Sequence, residues 1–344
     1  MPLAPPPAPS FRRPVPEPRP RRFVLLLLDQ FSLLSFASTL EAMRIANRML
    51  GRNAYVWTLV GEGGREAVCS CGTRFVIDHG LETGELELDR DDVVIVIGGM
   101  DVQRATTRAV VNWLRKVARH GTAVGGMCTG SYAVARAGLL EGRRTTIHWE
   151  NHDSFGEEFE NVALTKSVYV VDGNRLSSAG GTSAIDLMLS LIARDHGEPV
   201  ASAVADQLIY SSIRTDQDTQ RLSIPTRIGV RHPKLAQVIR IMEGNIEEPI
   251  SPASLAATVG MSTRQLERLA RRYLGRSPKR YYMELRLQKA RNLLMQTDMS
   301  VINVAIACGF TSPSHFSKCY RAHYGTTPYR ERGAHGAPPE PDTV

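Results

Sequence analysis

The chain has 344 residues, of which 42% are hydrophobic and 22% are charged. This composition excludes a wholly disordered or fibrous chain, and the length predicts about two domains. The apolar run 23–28 is far shorter than the roughly 20 residues of a membrane-spanning helix, and the N-terminus lacks the apolar core of a secretory signal. Five cysteines without metal-ligand spacing indicate neither a disulfide framework nor a metal site. We therefore expect a cytoplasmic protein without membrane contact, metal or cofactor.

Charge is unevenly distributed along this chain of formal net charge +7. Residues 225–334 carry 18 Lys and Arg against 7 Asp and Glu, whereas residues 23–224 carry 19 against 25. A mildly acidic body is thus joined to a basic C-terminal domain. Such a basic domain points first to nucleic acid as its partner.

Composition and periodicity divide the chain into five segments. Residues 1–21 form a proline- and arginine-rich tail, which is predicted to be disordered because it cannot bury a core. The remaining segments are a first domain at 22–200, a helix and linker at 201–232, an all-helical domain at 233–333, and a second tail at 334–344.

The first domain alternates strands with helices. Apolar runs at 23–28, 93–97 and 122–125 are typical of strands that are buried on both faces. The predicted helices span about 33–50, 103–119, 130–138 and 182–195, and a predicted hairpin spans 168–178. This alternation predicts a three-layer α/β domain with a mostly parallel sheet.

The C-terminal domain contains an internal repeat with an offset of 50 residues, or 49 further upstream. The matched pairs are Ala256 and Ala305, Gly260 and Gly309, Leu266 and Phe316, Gly275 and Gly325, and Pro278 and Pro328. Small residues where two helices cross, and glycines that turn the chain between them, predict two helix-turn-helix units. The helical spacing of apolar residues from Met283 to Leu294 predicts a long helix that connects them.

This domain resembles an AraC/XylS-type DNA-binding domain over 233–332, because the run from Ala305 to Arg330 matches that family's signature, with Cys319 a small departure. The resemblance implies that the second helix of each unit enters the major groove of double-stranded DNA. It implies base-reading roles for Arg264, Glu267, Arg268, Ser314, Ser317 and Lys318. Phosphate contacts, which set affinity without sequence preference, are implied for Arg271, Arg272, Arg321 and Arg330.

Glycines flank Cys128 in the run Gly126-Met127-Cys128-Thr129-Gly130, between a predicted strand and a predicted helix. This arrangement is typical of a nucleophile elbow, which holds the central side chain over a helix N-terminus and lowers the pKa of a thiol there. Together with the later run 145–149, it resembles the PfpI-like branch of the class I glutamine amidotransferase-like fold. That resemblance implies a flavodoxin-like architecture for the first domain.

Hydrolases of that fold pair the elbow cysteine with a histidine, and often with a glutamate after the first strand, where this chain has Ser32. A hydroxyl cannot replace a carboxylate in orienting a base. We therefore predict no catalytic residues and, instead, a pocket for a small-molecule effector at the elbow. Its predicted lining is Phe31, Ser32, Gly99, Cys128, Thr129, Tyr132, His148 and Trp149.

The two halves together resemble the GlxA-like transcriptional regulators over about 22–332. Within that group, residues 31–38 and the His148-Trp149 pair are most similar to regulators of quaternary-amine and amino-acid catabolism. The resemblance therefore implies an effector of the glycine betaine, carnitine or arginine class. It also implies RNA polymerase as a partner, and it leaves open a homodimer and the sign of regulation. Two other hypotheses are a cysteine-dependent amidase or hydrolase with a DNA-binding module, and a chromosome-architecture protein without an effector.

Overall fold

A computed structural model describes residues 19–63, 65–81, 86–220 and 232–336. Of the predicted tail 1–21, residues 1–18 lie outside the described part of the chain. The last residue of that predicted tail, Arg21, is the first residue of the first strand. The second predicted tail, 334–344, overlaps the last helix as far as residue 336, and the rest of it lies outside. Of the predicted linker, residues 221–231 lie outside the described part of the chain.

The described strands belong to the N-terminal unit. They are β1 (Arg21–Leu27), β2 (Tyr55–Gly61), β3 (Glu66–Val68), β4 (Arg74–Val76), β5 (His79–Gly80), β6 (Val93–Ile97), β7 (Ala123–Met127), β8 (Arg144–Thr145), β9 (Ala163–Leu164), β10 (Tyr169–Asp172) and β11 (Arg175–Ser178).

The helices occur in both units. Those of the N-terminal unit are α1 (Leu33–Leu50), α2 (Val102–Ala105), α3 (Arg108–Arg119), α4 (Gly130–Arg136), α5 (His152–Glu158), α6 (Ser183–His196) and α7 (Glu198–Gln207), with a 3-10 turn at Trp149–Asn151. Those of the C-terminal unit are α8 (Pro233–Gly244), α9 (Pro252–Thr258), α10 (Thr263–Leu274), α11 (Pro278–Gln296), α12 (Val301–Ala307), α13 (Pro313–Tyr324) and α14 (Pro328–Gly336). Among the described helices, none is long and apolar enough to cross a membrane.

A seven-stranded sheet forms the middle layer of the N-terminal unit, in the order β10-β11-β7-β6-β1-β2-β5. All neighbours are parallel except β10 and β11, which form the predicted antiparallel hairpin. Strand β1 lies between β6 and β2, and its Leu25 pairs with Ile95 and Leu59. The prediction of a three-layer domain with a mostly parallel sheet is thus confirmed.

The side chains of β1 divide between the two faces of the sheet because alternate residues of a strand point in opposite directions. Phe23, Leu25 and Leu27 pack with α1, α6 and α7, whereas Val24 and Leu26 pack with α3 and α4. Helix α7 belongs to the same core. The core of the first unit therefore extends past the predicted boundary at residue 200.

Two differences from the predicted elements affect the site. Strand β2 and the β3–β4 hairpin were not predicted, although β2 has the apolar and β-branched composition that is typical of a strand. The predicted helix 103–119 consists of two helices, α2 and α3. The break occurs because the Thr107 hydroxyl accepts a hydrogen bond from the Val110 amide and thereby begins α3.

The C-terminal unit contains two cores that share α11. Helices α8, α9 and α10 pack with Tyr282 near the start of α11, whereas α12 and α13 pack with Leu287 and Leu294 further along it. The turn glycines Gly260 and Gly309 both have positive φ, +65° and +72°, which L-residues rarely adopt. The predicted pair of helix-turn-helix units on one connecting helix is present.

Gly126→Ala should destabilise the N-terminal unit. A Cβ at this position would lie 2.2 Å from the Ser131 amide nitrogen, which is fixed backbone. Overpacking of this kind costs about 3 kcal/mol. Thermal unfolding followed by circular dichroism should show a clearly lower melting temperature for this variant. In the control Gly244→Ala, the new Cβ meets no atom within 4 Å, so the melting temperature should equal that of the parent or be slightly higher. Equal melting temperatures for the two variants would contradict the packing described here.

Candidate functional site

The elbow, residues 126–130, has the predicted strand-turn-helix geometry. Strand β7 ends at Met127, Cys128 lies in the left-handed region at φ +59°, and α4 begins at Gly130. Glycines make this close approach feasible, since a Cβ on Gly130 would lie 2.1 Å from the Val96 carbonyl oxygen. A Cβ on Gly180, behind the turn, would lie 2.5 Å from the Cys128 Cβ. The strained position of Cys128 is therefore held by close backbone packing on several sides.

The chemistry of the Cys128 thiol differs from the prediction. Burial raises its pKa to about 11, which outweighs the lowering effect of the Thr129 amide, and the charge of Glu150 raises the pKa further. The helix N-terminus was expected to lower the pKa, but desolvation of the thiolate is the larger effect. At neutral pH the thiol is therefore protonated and weakly nucleophilic.

Two polar groups at the elbow, the Cys128 amide and the Thr129 hydroxyl, are bonded to the protein itself. The Cys128 amide donates to the Ser178 carbonyl at 2.9 Å, which ties the elbow to β11. The Thr129 hydroxyl donates to the Gly99 carbonyl at 2.7 Å, and this bond fixes the loop after β6 against the elbow. The elbow therefore does not offer the Cys128 amide to a carboxylate ligand.

Ser32 has a structural role in α1. Its hydroxyl oxygen caps that helix by accepting from the Ser35 amide at 3.4 Å, and it also accepts from the Ser35 hydroxyl at 2.9 Å. The His148 amide donates to the Cys128 carbonyl at 3.3 Å, while burial lowers the pKa of the His148 ring. Within the described residues, no hydrogen bond joins that ring to the Cys128 thiol. The arrangement thus lacks the activated nucleophile that a cysteine hydrolase needs.

The predicted pocket aromatics separate into two groups. Phe31 is fully buried and packs edge-on against Phe36 and Phe75, and Gly99 pairs with it in a short bridge. Tyr132 is 7% exposed, and its hydroxyl donates to Glu158. Trp149 is half-buried, and its ring centroid lies 5.7 Å from that of His148. Of the three aromatic residues predicted to line the pocket, Trp149 alone has substantial exposure.

A cavity of about 940 Å³ opens beside the elbow, at the carboxyl ends of β1 and β2. Ligands of open α/β sheets bind at such ends, next to the point where the strand order reverses, which here lies between β1 and β6. The cavity is lined by Leu27, Leu28, Asp29, Gln30, Gly61, Glu62, Gly63, Glu66, Ala67, Val68, Asp101, Arg104, Ala105, Thr107 and Val110. Four acidic side chains face one basic side chain in this set. None of the eight predicted pocket residues lines the cavity, although Phe31 directly follows Gln30.

The two predicted DNA-reading helices, α10 and α13, begin at well-formed caps. The Ser262 hydroxyl accepts from the Gln265 amide, and the Gln265 side chain accepts from the Ser262 amide, which completes a capping box. The Ser312 hydroxyl caps α13 through the His315 amide. Defined helix starts fix where the first outward side chains of each helix lie.

The predicted DNA contacts lie on the outer surfaces of α10, α13 and α14. Inward residues Leu266, Ala270, Phe316 and Tyr320 are buried. Ser317 is half-buried, and the following predicted residues are exposed: Arg264, Glu267, Arg268, Arg271, Arg272, Ser314, Lys318, Arg321 and Arg330. In the described chain, no ion pair holds Arg264, Arg268 or Arg271. These guanidinium groups therefore keep their hydrogen-bonding capacity for a ligand.

Arg286 on α11 fixes the second unit, and the sequence analysis did not identify it. Its guanidinium donates to the Cys308 carbonyl at 2.8 Å and to the Gly309 carbonyl at 2.6 Å, and it lies 4.1 Å from the ring centroid of Phe310. Burial lowers the pKa of this group from its ordinary value. The turn between α12 and α13 is thus bound directly to the connecting helix.

The N-terminal and C-terminal units meet at the end of α11. The Gln296 carbonyl accepts from the Gln103 side chain at 2.7 Å, and the Gln296 side-chain oxygen accepts from the Ser154 hydroxyl at 2.9 Å. Gln103 lies on α2 between the cavity-lining residues Asp101 and Arg104, and Ser154 lies on α5. Both contacts therefore come from segments next to the candidate ligand sites.

Comparison with known proteins identifies both units. Residues 21–194 match the DJ-1/PfpI family, and residues 255–334 match the helix-turn-helix domain. The chain is 45% identical to the HTH-type transcriptional regulator GbdR of Pseudomonas aeruginosa, over 91% of this chain and 84% of GbdR. It is 44% identical to CdhR of the same species, over 90% and 91%, and 34% identical to GlxA of Rhizobium meliloti, over 90% and 94%. Both relatives are likewise HTH-type transcriptional regulators.

The Cys128 thiol should react slowly with iodoacetamide in the folded protein. Because its pKa is raised to about 11, only a small fraction is thiolate near pH 7.5, and labelling should accelerate roughly tenfold for each pH unit up to that pKa. Mass spectrometry of the labelled peptide measures the rate, and the urea-unfolded chain is the reference. Equal rates at neutral pH in the folded and unfolded chain would contradict the burial effect.

Proposed function

The chain belongs to the transcriptional regulators that join a DJ-1/PfpI domain to an AraC-type helix-turn-helix domain, and we propose that a small amine or amino-acid-like effector controls its action on catabolic genes. The observation that carries this proposal is the double hydrogen bond at Gln296, which links the N-terminal unit to the helix shared by both DNA-binding units. A ligand that shifts α2 or α5 would thereby move α11. The regulator acts in the cytoplasm, with RNA polymerase as its further partner.

The cavity beside the elbow is our proposed effector site. Its lining carries Asp29, Glu62, Glu66 and Asp101 against Arg104, and an excess of negative charge remains after Glu66 pairs with Arg74 at 3.2 Å, so its field favours a positively charged group. An ammonium, guanidinium or quaternary amine meets this requirement, in agreement with the betaine, carnitine or arginine class. Trp149, with His148, provides a cation–π alternative at the rim of the elbow.

Cys128 has no catalytic role in this proposal. The raised pKa of its thiol, the capping role of Ser32 and the absence of a thiol–imidazole hydrogen bond among the described residues all support a binding domain. The amidase or hydrolase hypothesis would need a thiolate at neutral pH. Its direct test is ammonia release from candidate amides.

The proposed DNA contacts follow from exposure and side-chain chemistry. In α10, Arg264 and Arg268 can each bind guanine O6 and N7 in a bidentate manner, and Glu267 can accept from cytosine N4. In α13, the proposed base-reading residues are Ser314, Ser317 and Lys318. Arg271, Arg272, Arg321 and Arg330 are the proposed phosphate contacts. Because one chain carries two such units, a monomer can span a two-part operator, and a homodimer would extend that operator.

Arg268→Ala and Arg271→Ala should have different effects on DNA binding. Loss of the base contact at Arg268 should cost about 1–3 kcal/mol at the operator and relax specificity at one base pair. Loss of the phosphate contact at Arg271 should weaken binding to all DNA sequences alike. It should also reduce the magnitude of the slope of log affinity against log salt concentration by about one. Fluorescence anisotropy with operator and random duplexes over a range of salt concentrations measures both effects. Equal weakening of random DNA by Arg268→Ala would refute the base-reading role.

Asp101→Asn should weaken the binding of a cationic effector. The removal of a charged contact costs about 1.5–3 kcal/mol, or roughly 10- to 100-fold in Kd. Calorimetric titration of the full chain with glycine betaine, carnitine and arginine measures this change. Asp91 is an exposed acid outside the cavity lining, so Asp91→Asn is the matched control and should leave the Kd of the effector unchanged. Operator binding without effector should be unchanged in both variants.

A second variant distinguishes the two ligand sites. Trp149→Ala removes the aromatic face at the elbow and leaves the acidic cavity intact. If the effector response depended on Trp149 and not on Asp101, the elbow would be the site and the cavity assignment would be wrong. Cys128→Ser should preserve the response in either case, because no covalent step is involved.

A further inference from the structure

Two thiols meet at the tip of the β3–β4 hairpin. Cys69 and Cys71 lie in a tight turn that is closed by the Gly72 amide, which donates to the Cys69 carbonyl at 2.8 Å. The Cys69 amide also donates to the Thr73 carbonyl at 3.0 Å. This turn brings the two sulfur atoms to 3.2 Å from one another, although both cysteines are free.

The two sulfurs differ in their access to solvent. Cys71 is exposed, whereas Cys69 is fully buried and packs in the core beside Phe31. The Thr73 hydroxyl, 3.5 Å from the Cys71 sulfur, and the Cys69 thiol lower the pKa of Cys71 from its ordinary value. An exposed thiol with a lowered pKa, next to a second thiol, is the arrangement that reacts with oxidants and is then resolved to a disulfide.

The other cysteines do not share this arrangement. Burial raises the pKa of Cys128 to about 11 and that of Cys308 to about 12, so both remain protonated. Cys319 is half-buried and contacts the His315 ring at 3.4 Å, with no second thiol among its described contacts. Among the described residues, an exposed thiol with a second thiol in reach occurs at the hairpin tip.

We propose that Cys69 and Cys71 form a reversible disulfide when the protein meets a hydroperoxide. The Cys71 thiolate sulfur attacks one oxygen of hydrogen peroxide, the O–O bond breaks, and Cys71 becomes a sulfenic acid. The other oxygen leaves as hydroxide, which takes up the proton that the thiol lost and becomes water. The Cys69 sulfur then attacks the Cys71 sulfur, the S–O bond breaks, and the thiol proton leaves with the hydroxyl as water. In sum, two thiols lose two electrons and two protons, and one hydrogen peroxide becomes two waters.

Reduction by a dithiol reverses the bond, which suits a DNA-binding protein in a reducing compartment. Disulfides there are usually transient and sensory. The sulfurs must approach from 3.2 Å to about 2.05 Å, so the turn has to contract.

The position of the hairpin tip gives the disulfide a route to the rest of the protein. The Ser70 amide donates to the Phe31 carbonyl at 2.9 Å, and the Gln30 amide donates to the Val68 carbonyl at 2.8 Å. Gln30 and Val68 both line the cavity. Contraction of the turn therefore acts on the loop after β1, which forms one wall of that cavity.

Peptide mapping of the full chain tests the disulfide. Trypsin releases residues 66–74 as one peptide, which contains Cys69 and Cys71 and no other cysteine. After hydrogen peroxide and then iodoacetamide, we expect this peptide unalkylated and lighter by two hydrogens. Dithiothreitol given before iodoacetamide should restore two alkylated sites. Cys319, in a separate peptide, should stay alkylatable throughout.

Single variants identify the role of each sulfur. In Cys69→Ser, Cys71 should stop at the sulfenic acid, which dimedone traps, and the loss of two hydrogens should disappear. In Cys71→Ser, the buried Cys69 should oxidise no faster than Cys308. Circular dichroism verifies that both variants fold. Unchanged alkylation of both cysteines after peroxide, or addition of oxygen atoms without the loss of two hydrogens in the parent chain, would overturn the proposal.

Discussion

Gln296 closes the C-terminal end of α11, and two hydrogen bonds hold it to separate segments of the N-terminal unit. This contact accompanies the packing of α11 against α5 and against the 3-10 turn at Trp149–Asn151. With it, the helix shared by both DNA-binding cores is anchored to the layer that contains the cavity. Since those cores pack on the same helix, displacement of its end is felt by both of them. A ligand in the N-terminal unit would act through this contact to the extent that its affinity differs between two arrangements of the contact.

The elbow shows how a fold used by enzymes can be kept while its chemistry changes. The backbone geometry at Cys128, with positive φ and glycines on several sides, is complete. The surrounding groups are not those of a hydrolase, because Ser32 caps a helix and burial favours the neutral thiol. The strained turn fixes the loops after β6 and β7 relative to each other through the bond from the Thr129 hydroxyl to the Gly99 carbonyl.

Much of the architecture could be predicted from local pattern. Unbroken apolar runs identify β1 and β6, and the 50-residue repeat identifies both helix-turn-helix units. The surroundings of the predicted pocket residues could not be predicted from the sequence, because these residues have partners that are distant in sequence. Tyr132 is bonded to Glu158, and the Cys128 amide to Ser178. The acidic cavity combines loops that follow three different strands and lie far apart in sequence, so neither spacing nor composition indicates it.

The connecting helix α11 also sets the distance between the two helix-turn-helix units. Its 19 residues span about 28 Å, and Arg286 binds the second turn to it so that the two reading helices keep a fixed separation and a fixed rotation. B-DNA makes one turn in about 10 base pairs, so each added base pair rotates a half-site by roughly 34° about the DNA axis. DNA binding by both units would therefore make rotational phase, as well as sequence, part of the operator, because one chain could not bind two correct motifs on different faces of the duplex.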